Sequence, residues 1–277
     1  MIYDYIRWEE KAILNAAKKK GIELETIDSK YLSLLLDEDY EKRFGDIVLQ
    51  RSLGYFKSLH LTAALESKGI RVVNNFDVLL VTGNKLFTTL ALLKAGIPTP
   101  KTGLSFTAKG AFETIEKLGY PVVLKPTIGS WGRLLALLNN KESAQAVFED
   151  REHMFPIYQI FYLQEYVKRP PKDIRTIMLD DQIIAAIYRV SESGDWRTNT
   201  SLGGRAEKCP VSKELEDVCA KSSKAVGGGI LGVDCMEGPD GLVVHEINHT
   251  TEFRNTVPCT GVDIPGLIVD YLINIKR

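Results

Sequence analysis

Residues 230–248 read ILGVDCMEGPDGLVVHEIN, and residues 249–258 continue as HTTEFRNTVP. Two apolar runs flank the turn-forming quartet Gly238-Pro239-Asp240-Gly241, so the first stretch is expected to fold as an antiparallel hairpin. Side chains two apart in a strand share a face, which puts Glu246 and Asn248 together and turns His245 to the other side as a packed histidine. Asp234, on the partner strand, is near enough in register to join them. Two carboxylates and an amide oxygen suit Mg2+, which takes a few protein oxygens together with waters and nucleotide phosphates. Polar alternation is also ordinary on a half-exposed hairpin, and the stretch alone leaves both readings open.

The elements around it set the fold class. Residues 174–190 read as another hairpin, IRTIMLD and IIAAIYRV, turning near Asp180 and Asp181. A helix, KELEDVCAKSSKAVG, lies between the hairpins, and an amphipathic helix from Ile264 to Ile275 follows them. The first third alternates short strands with helices, as in a parallel α/β unit: IYDY, WEEKAILNAAKKKG, IELETID, DIVLQ, FKSLHLTAALESKG, IRVVNN. Its opening strand is short, as though the chain begins inside it. Residues 84–96 carry helical periodicity and stop at Gly96 before IPTP. Between these units come a helix (GAFETIEKLG), strands YPVVLKPT and LLALL around IGSWGR, a helix (KESAQAVFED) and the strand-like YQIFYLQEYV. The segment GDWRTNTSLGGRAEKCP is polar throughout.

Bulk properties narrow the function classes. A net charge of −1 supplies no global field toward nucleic acid or an anionic membrane. No apolar run reaches the roughly 18 residues that span a bilayer, and the N-terminus lacks the apolar core of a signal peptide. A cytoplasmic protein without nucleic-acid or membrane partners is expected. Cys209, Cys219, Cys235 and Cys259 have no metal-ligand spacing and read as reduced, mostly buried thiols. The four histidines are not spaced as zinc ligands either.

Three further stretches carry candidate chemistry. In VVLKPTIGSWGR, Lys125 ends an apolar strand, and Gly129, Ser130 and Gly132 form a small loop. A lysine there can hold a phosphate as a point charge, while glycines let backbone N–H groups approach it. In FYLQEYV, the strand end can offer alternating backbone groups to an adenine edge. Arg175, Arg189 and Asn199 are scattered through DIRTIM, AIYRVS and DWRTNTSLGG. Taken singly, each of these, like Lys85, is also what an ordinary solvated surface shows.

Their order along the chain resembles the ATP-grasp ligases. The resemblance implies an α/β and α+β architecture with an N-terminal pre-ATP-grasp domain (1–84), a central lobe (85–166) and a C-terminal lobe (167–277) that clasp ATP. It implies that Lys85, Lys125, the loop Gly129, Ser130, Trp131, Gly132 and Arg133, and the segment Gln164, Glu165, Tyr166 and Val167 bind the nucleotide. Asp234, Glu246 and Asn248 would hold Mg2+, with Arg175, Arg189 and Asn199 at the reaction centre. YDYIRWEEK, QRSLGYF, GSWGR, IYRVS, DWRTNTSLGG and EINHTTEFRNTVPCTG further resemble the LysX type within the RimK-like subgroup. That type implies a carboxylate-amine ligase of lysine biosynthesis, joining 2-aminoadipate to the C-terminal glutamate of a small acidic carrier protein, LysW. In such enzymes an Asn followed by Thr or Ser goes with 2-aminoadipate, and Gly-Phe goes with glutamate. Arg254, Asn255 and Thr256 are therefore the expected substrate residues. The alternatives are a glutamate–LysW ligase of the arginine branch, another RimK-like glutamate ligase, or a non-catalytic ATP-binding regulatory protein. Analogy with relatives implies a homo-oligomer, dimer or tetramer. For the acidic carrier, Lys42, Arg43, Arg51 and Lys57 form the nearest basic cluster.

Overall fold

The computed structural model describes residues 1–129, 132–192, 196–198 and 204–276, apart from the side chains of Glu41, Lys42 and Lys276. In the N-terminal unit, strands β1 (Ile2–Tyr3), β2 (Ile27–Asp28), β3 (Val48–Leu49) and β4 (Val72–Val73) lie parallel in the order β2-β1-β3-β4. Helices α1 (Trp8–Lys19), α2 (Glu41–Phe44) and α3 (Tyr55–Glu66) connect them. The parallel arrangement agrees with the alternation of the sequence, but the strands are shorter than their apolar runs. Only Ile27-Asp28 of IELETID pairs, because β1 stops at Tyr3. Asp4 then turns away to accept the backbone N–H groups of Leu53 and Gly54 at 3.0 and 3.3 Å.

Helix α4 (Phe76–Thr82) follows, capped by Asn75, whose side chain accepts from Val78 N at 2.9 Å. A run as short as FDVLLVT has no legible period, so the sequence does not announce this helix. Helix α5 (Lys85–Lys94) starts at the Asn84 cap and ends, as expected, before Gly96 at φ 67°. The next sheet takes β5 (Thr102–Ser105), β6 (Val122–Lys125), β7 (Ala136–Leu138) and β8 (Phe161–Glu165) in the antiparallel order β5-β8-β6-β7. Helices α6 (Ala108–Leu118) and α7 (Lys141–Glu152) cover it through Ile115, Ala144 and Phe148.

The largest sheet contains β9 (Lys172–Leu179), β10 (Gln182–Val190), β11 (Arg205–Lys208), β12 (Ile230–Gly238) and β13 (Gly241–Asn248), in the antiparallel order β11-β10-β9-β12-β13. Both expected hairpins form, the first turning at Asp180 with φ 49°. Strand β11 falls inside the stretch read as a polar segment. As an edge strand with no buried residue it shows no apolar alternation.

The sheet's two faces have different tasks. One face, with Ile174, Met178, Leu231, Val233 and Ile247, packs against α4, α5 and α8 (Lys213–Val226). The other face is divided. Its apolar end, Ile177, Ala185 and Ile230, meets α1 and α10 (Ile264–Lys276), while its polar end carries the candidate site. Among the described residues, no single helix is long and apolar enough to cross a membrane.

Candidate active site

Register assembles the site. Asp234 pairs with Arg175 in β9 and with Glu246 in β13, and Arg189 pairs with Asp173. The two-residue period then projects Asp173, Arg175, Arg189, Asp234, Glu246 and Asn248 from one sheet face. The arginines are held side-on by carboxylates. Arg175 donates from Nε and Nη2 to the two oxygens of Asp234, the second at 2.7 Å. Arg189 donates from the same two nitrogens to Asp173 at 2.7 Å each, and its Nη2 lies 3.1 Å from Asp234 Oδ2. This bidentate geometry fixes both guanidinium planes and leaves Nη1 of each without a partner among the described residues.

Burial raises the carboxyl groups of Asp234 and Asp173, but the adjacent arginines outweigh it and hold both below the usual carboxylate range. Burial also raises Glu246, and Lys85, whose Nζ is 3.2 Å away, reverses the sign. Lys85 Nζ further donates to the Gly129 carbonyl at 2.5 Å, tying the start of α5 to the glycine loop. Lys125 is 6% exposed and donates to Gln164 Oε1 at 2.6 Å. Burial brings its ammonium down from 10.5 to about 8.

A cavity of about 620 Å³ brings together Lys85, Gly129, Arg175, Arg189, Glu246 and Asn248 with Arg254, Asn255 and Thr256. A smaller one, about 50 Å³, is lined by Lys85, Lys125, Gly129, Gly132, Arg189 and Glu246. Four of those residues are common to both, so the cavities adjoin. Arg133, Gln164, Glu165, Tyr166, Val167 and Asp234 line neither. Gln164 points inward to Lys125, Glu165 accepts from the backbone of Lys101 at 2.7 Å, and the peptides of Tyr166 and Val167 lie beyond the end of β8. Ser130, Trp131 and Asn199 lie outside the described residues.

Two expectations need correction. His245 does not turn to the opposite face. The β12–β13 ladder slips between Asp234 and Cys235, pairing Glu246 and then Val244, so His245 is an unpaired bulge residue. It lines the smaller cavity with Glu246, 3.8 Å from Asp173 Oδ2, and burial lowers its imidazolium to about 4. Arg51 leaves the basic cluster altogether. It is 2% exposed and donates to Glu10 Oε1 at 2.9 Å, while the side chain of Lys42 lies outside the described residues.

The segment after β13 is held by the N-terminal unit. Glu9 Oε1 accepts from Phe253 N and Arg254 N at 3.2 and 3.0 Å. Arg7 lies 3.3 Å from Glu252, and Arg51 donates to the Thr251 carbonyl at 3.3 Å. Gly232 permits the close approach, since a Cβ there would lie 2.3 Å from Thr251 Oγ1. Arg7, Trp8, Tyr55, Thr82 and His249 therefore also line the large cavity. Burial and the charge of Arg51 keep the His249 imidazole neutral, its pKa lowered to about 4. Sequence reasoning did not single out Arg7 or Asp173. For Asp173, the signal was its two-residue spacing from Arg175 in a strand.

Of the three residues expected to hold Mg2+, Glu246 and Asn248 line the large cavity, whereas Asp234 lines neither cavity and both of its oxygens accept from arginines. Glu246 supplies anionic oxygens, and Asn248 donates Nδ2 to Asp234 Oδ2 at 3.4 Å, leaving its Oδ1 as an acceptor. No group of three carboxylate, histidine or thiol residues suited to a metal occurs among the described residues. A hard ion that takes most of its coordination from water and phosphate matches Glu246 and Asn248.

Comparison with known proteins agrees with the geometry. A RimK-like ATP-grasp domain matches residues 82–272, and a LysX preATP-grasp domain matches residues 1–81. The alpha-aminoadipate–LysW ligase LysX of Saccharolobus solfataricus is 36% identical over 266 residues, covering 95% of this chain and 96% of that protein. The glutamate–LysW ligase ArgX of Sulfurisphaera tokodaii is 30% identical over 276 residues, covering 98% and 96%. The solved ATP-grasp ligase PsnB, complexed with a phosphomimetic variant of its minimal precursor, Mg and ADP, superposes with a TM-score of 0.79 at 22% identity, covering 100% of this chain and 98% of that one.

Proposed function

Because the chain belongs to the RimK-like ATP-grasp family, we propose that it is an ATP-dependent ligase joining the amino group of 2-aminoadipate to the C-terminal glutamate side chain of the carrier protein LysW. One observation carries this reading: Glu246 and Asn248 at one end, and Asn255 and Thr256 at the other, line the same cavity. Nucleotide chemistry and the choice of amino acid then meet on a single wall. LysX relatives at 35–36% identity over nearly the whole chain support 2-aminoadipate over the glutamate of the ArgX relative at 30%.

A carboxylate is a poor electrophile, so its oxygen first takes the γ-phosphoryl group of ATP and ADP leaves. The amine then forms the C–N bond, phosphate departs from the acyl carbon, and the nitrogen gives up a proton. Lys125 and Lys85 hold the phosphates as point charges, and the glycine loop brings backbone N–H groups to them. The free Nη1 corner of Arg175 takes the transferred phosphate, while that of Arg189 faces the oxyanion formed when the amine adds. Both are pre-set by their carboxylate partners, so little reorganisation accompanies the reaction. Mg2+ bound by Glu246 and Asn248 would neutralise charge developing on the phosphate oxygens.

The reading is tested by initial rates of ADP release with each amino acid, with and without carrier. Release that requires both 2-aminoadipate and carrier is expected. A preference for glutamate assigns the arginine-branch activity instead, and tight ATP binding without turnover assigns a regulatory protein.

Thr256 is 1% exposed at the start of α9 (Thr256–Thr260), so a larger side chain there shortens the cavity. The two amino acids differ by one methylene, worth about 1–3 kcal/mol in pocket discrimination. Asn255→Gly with Thr256→Phe should therefore move the kcat/KM ratio toward glutamate by about tenfold or more. An unchanged ratio removes this pair from substrate selection. Lys125 carries its charge only below its lowered pKa of about 8. Raising the pH through that value should reduce kcat/KM for ATP, which reports ionisations of the free enzyme. A flat profile to pH 9.5 or so would exclude this lysine as the titrating phosphate contact.

A further inference from the structure

The ring of His249 forms part of the large cavity wall, immediately after Asn248. Its orientation is set from α4. Nδ1 lies 3.1 Å from Thr82 Oγ1, and that hydroxyl donates its single proton to the Val78 carbonyl at 2.6 Å, one helical turn back. With that proton on Val78 the oxygen accepts from the ring, and the hydrogen-bond network assigns the imidazole proton to Nδ1. Nε2 is left as a lone-pair acceptor with no partner among the described residues.

The backbone is fixed as firmly as the ring. Asn74 Nδ2 donates to the His249 carbonyl and to the Ile230 carbonyl at 2.8 Å each, while Asn74 Oδ1 accepts from Ile230 N at 2.8 Å. The carboxylates of the same cavity are committed elsewhere. Glu9 accepts two backbone N–H groups, Glu252 pairs with Arg7, and Glu246, beside Lys85, is the expected ion ligand. A neutral acceptor of fixed direction therefore faces a cavity whose other unpaired groups include the Nη1 donors of Arg175 and Arg189.

We propose that His249 Nε2 accepts a hydrogen bond from the attacking amine of the amino-acid substrate, with Thr82 as the positioning residue that locks the tautomer. The proposal rests on the ligase reading above. The substrate enters as an ammonium and loses one proton to solvent before attack. Pinning one remaining N–H to Nε2 directs the nitrogen lone pair toward the acyl carbon. The C–N bond then forms, the bond from carbon to the phosphate oxygen breaks, and the nitrogen releases a second proton. The imidazole returns unchanged, because it orients the amine and takes no proton.

The step can be isolated with two nucleophiles. Hydroxylamine traps an acyl phosphate as a hydroxamate and needs no such orientation, whereas 2-aminoadipate does. His249→Ala, assayed with full-length enzyme, ATP, Mg2+ and carrier, should lose about 10²-fold in coupling of 2-aminoadipate, the scale of a misplaced reactant. Hydroxamate formation should lose far less. His249→Gln, which can place an amide oxygen near the position of Nε2, should recover part of the coupling. Thr82→Val should lower coupling in the same selective way, and Thr82→Ser should restore it. Equal losses with both nucleophiles, or coupling unchanged in His249→Ala, overturn the proposal while leaving the ligase reading intact. Wild-type enzyme that makes hydroxamate but couples no amino acid overturns both.

Discussion

Arg175→Ala is expected to lower kcat by about 10²- to 10³-fold, the scale seen when one preorganised oxyanion donor is removed, while carrier affinity stays within about twofold. The expectation follows from how the guanidinium is held. Asp234 takes Nε and Nη2, so the remaining Nη1 corner is the part available to a phosphate. Arg175→Lys should not restore activity, since an ammonium cannot grip Asp234 with two parallel bonds and present a third donor. Loss of the charge also removes one of the two arginines that keep Asp234 ionised. Steady-state turnover beside a titration of carrier binding separates the effects. Unchanged kcat would remove Arg175 from the reaction centre, and equal losses in binding and turnover would make it a structural residue.

Glu10→Gln should produce the largest loss of stability, about 3–5 kcal/mol, as expected when one partner leaves a buried ion pair. Glu10 has no exposed side-chain surface and receives both Arg7 and Arg51, the latter itself 2% exposed. Through Arg51 to the Thr251 carbonyl and Arg7 to Glu252, it ties α1 to the segment that carries Arg254 and Asn255. The substitution leaves Arg51 buried without its anionic partner. Thermal unfolding should move down by roughly 10 °C for a chain of this size. A shift within a degree or two would show that the network contributes no net stability.

The same network has a pH signature. Burial pushes the Glu10 carboxyl up, but Arg7 and Arg51 outweigh it, so its folded pKa lies below the ordinary value. Its stabilisation is complete above the unfolded value of about 4.3 and is lost as the pH falls through the folded one. Glu10→Gln should therefore flatten the acid side of the stability profile.

Much of this architecture is legible in the residues themselves. Two hairpins with Gly or Asp turns, and helices bounded by Asn or Ser caps, follow from local chemistry that acts over a few positions. The same two-residue period places Glu246 beside Asn248. What local pattern cannot supply is register between distant strands. The placement of Arg175 between Asp234 and Ile187 depends on β9 lying between β10 and β12. His245 shows the cost of assuming regular alternation: one bulge reverses its face. Glu9 and Glu10 read as ordinary charges on a helix, and Arg51 as one of a surface basic cluster. Their role appears only when residues 200 or more positions away in the chain come within hydrogen-bonding distance.

The polar run from Asn248 onward now has distinct parts. Asn248 and His249 line the large cavity side by side. Thr251, Glu252 and Phe253 anchor the segment to the N-terminal unit, and Asn255 and Thr256 close the far end of the cavity. The central claim is that one wall joins acyl activation to the choice of amino acid. The most direct test is the intact mass of the carrier after incubation with enzyme, ATP, Mg2+ and an equal mixture of 2-aminoadipate and glutamate. The account predicts carrier heavier by one 2-aminoadipate less one water, with ATP converted to ADP and phosphate. Carrier heavier by glutamate, or of unchanged mass while ATP is bound, would contradict it.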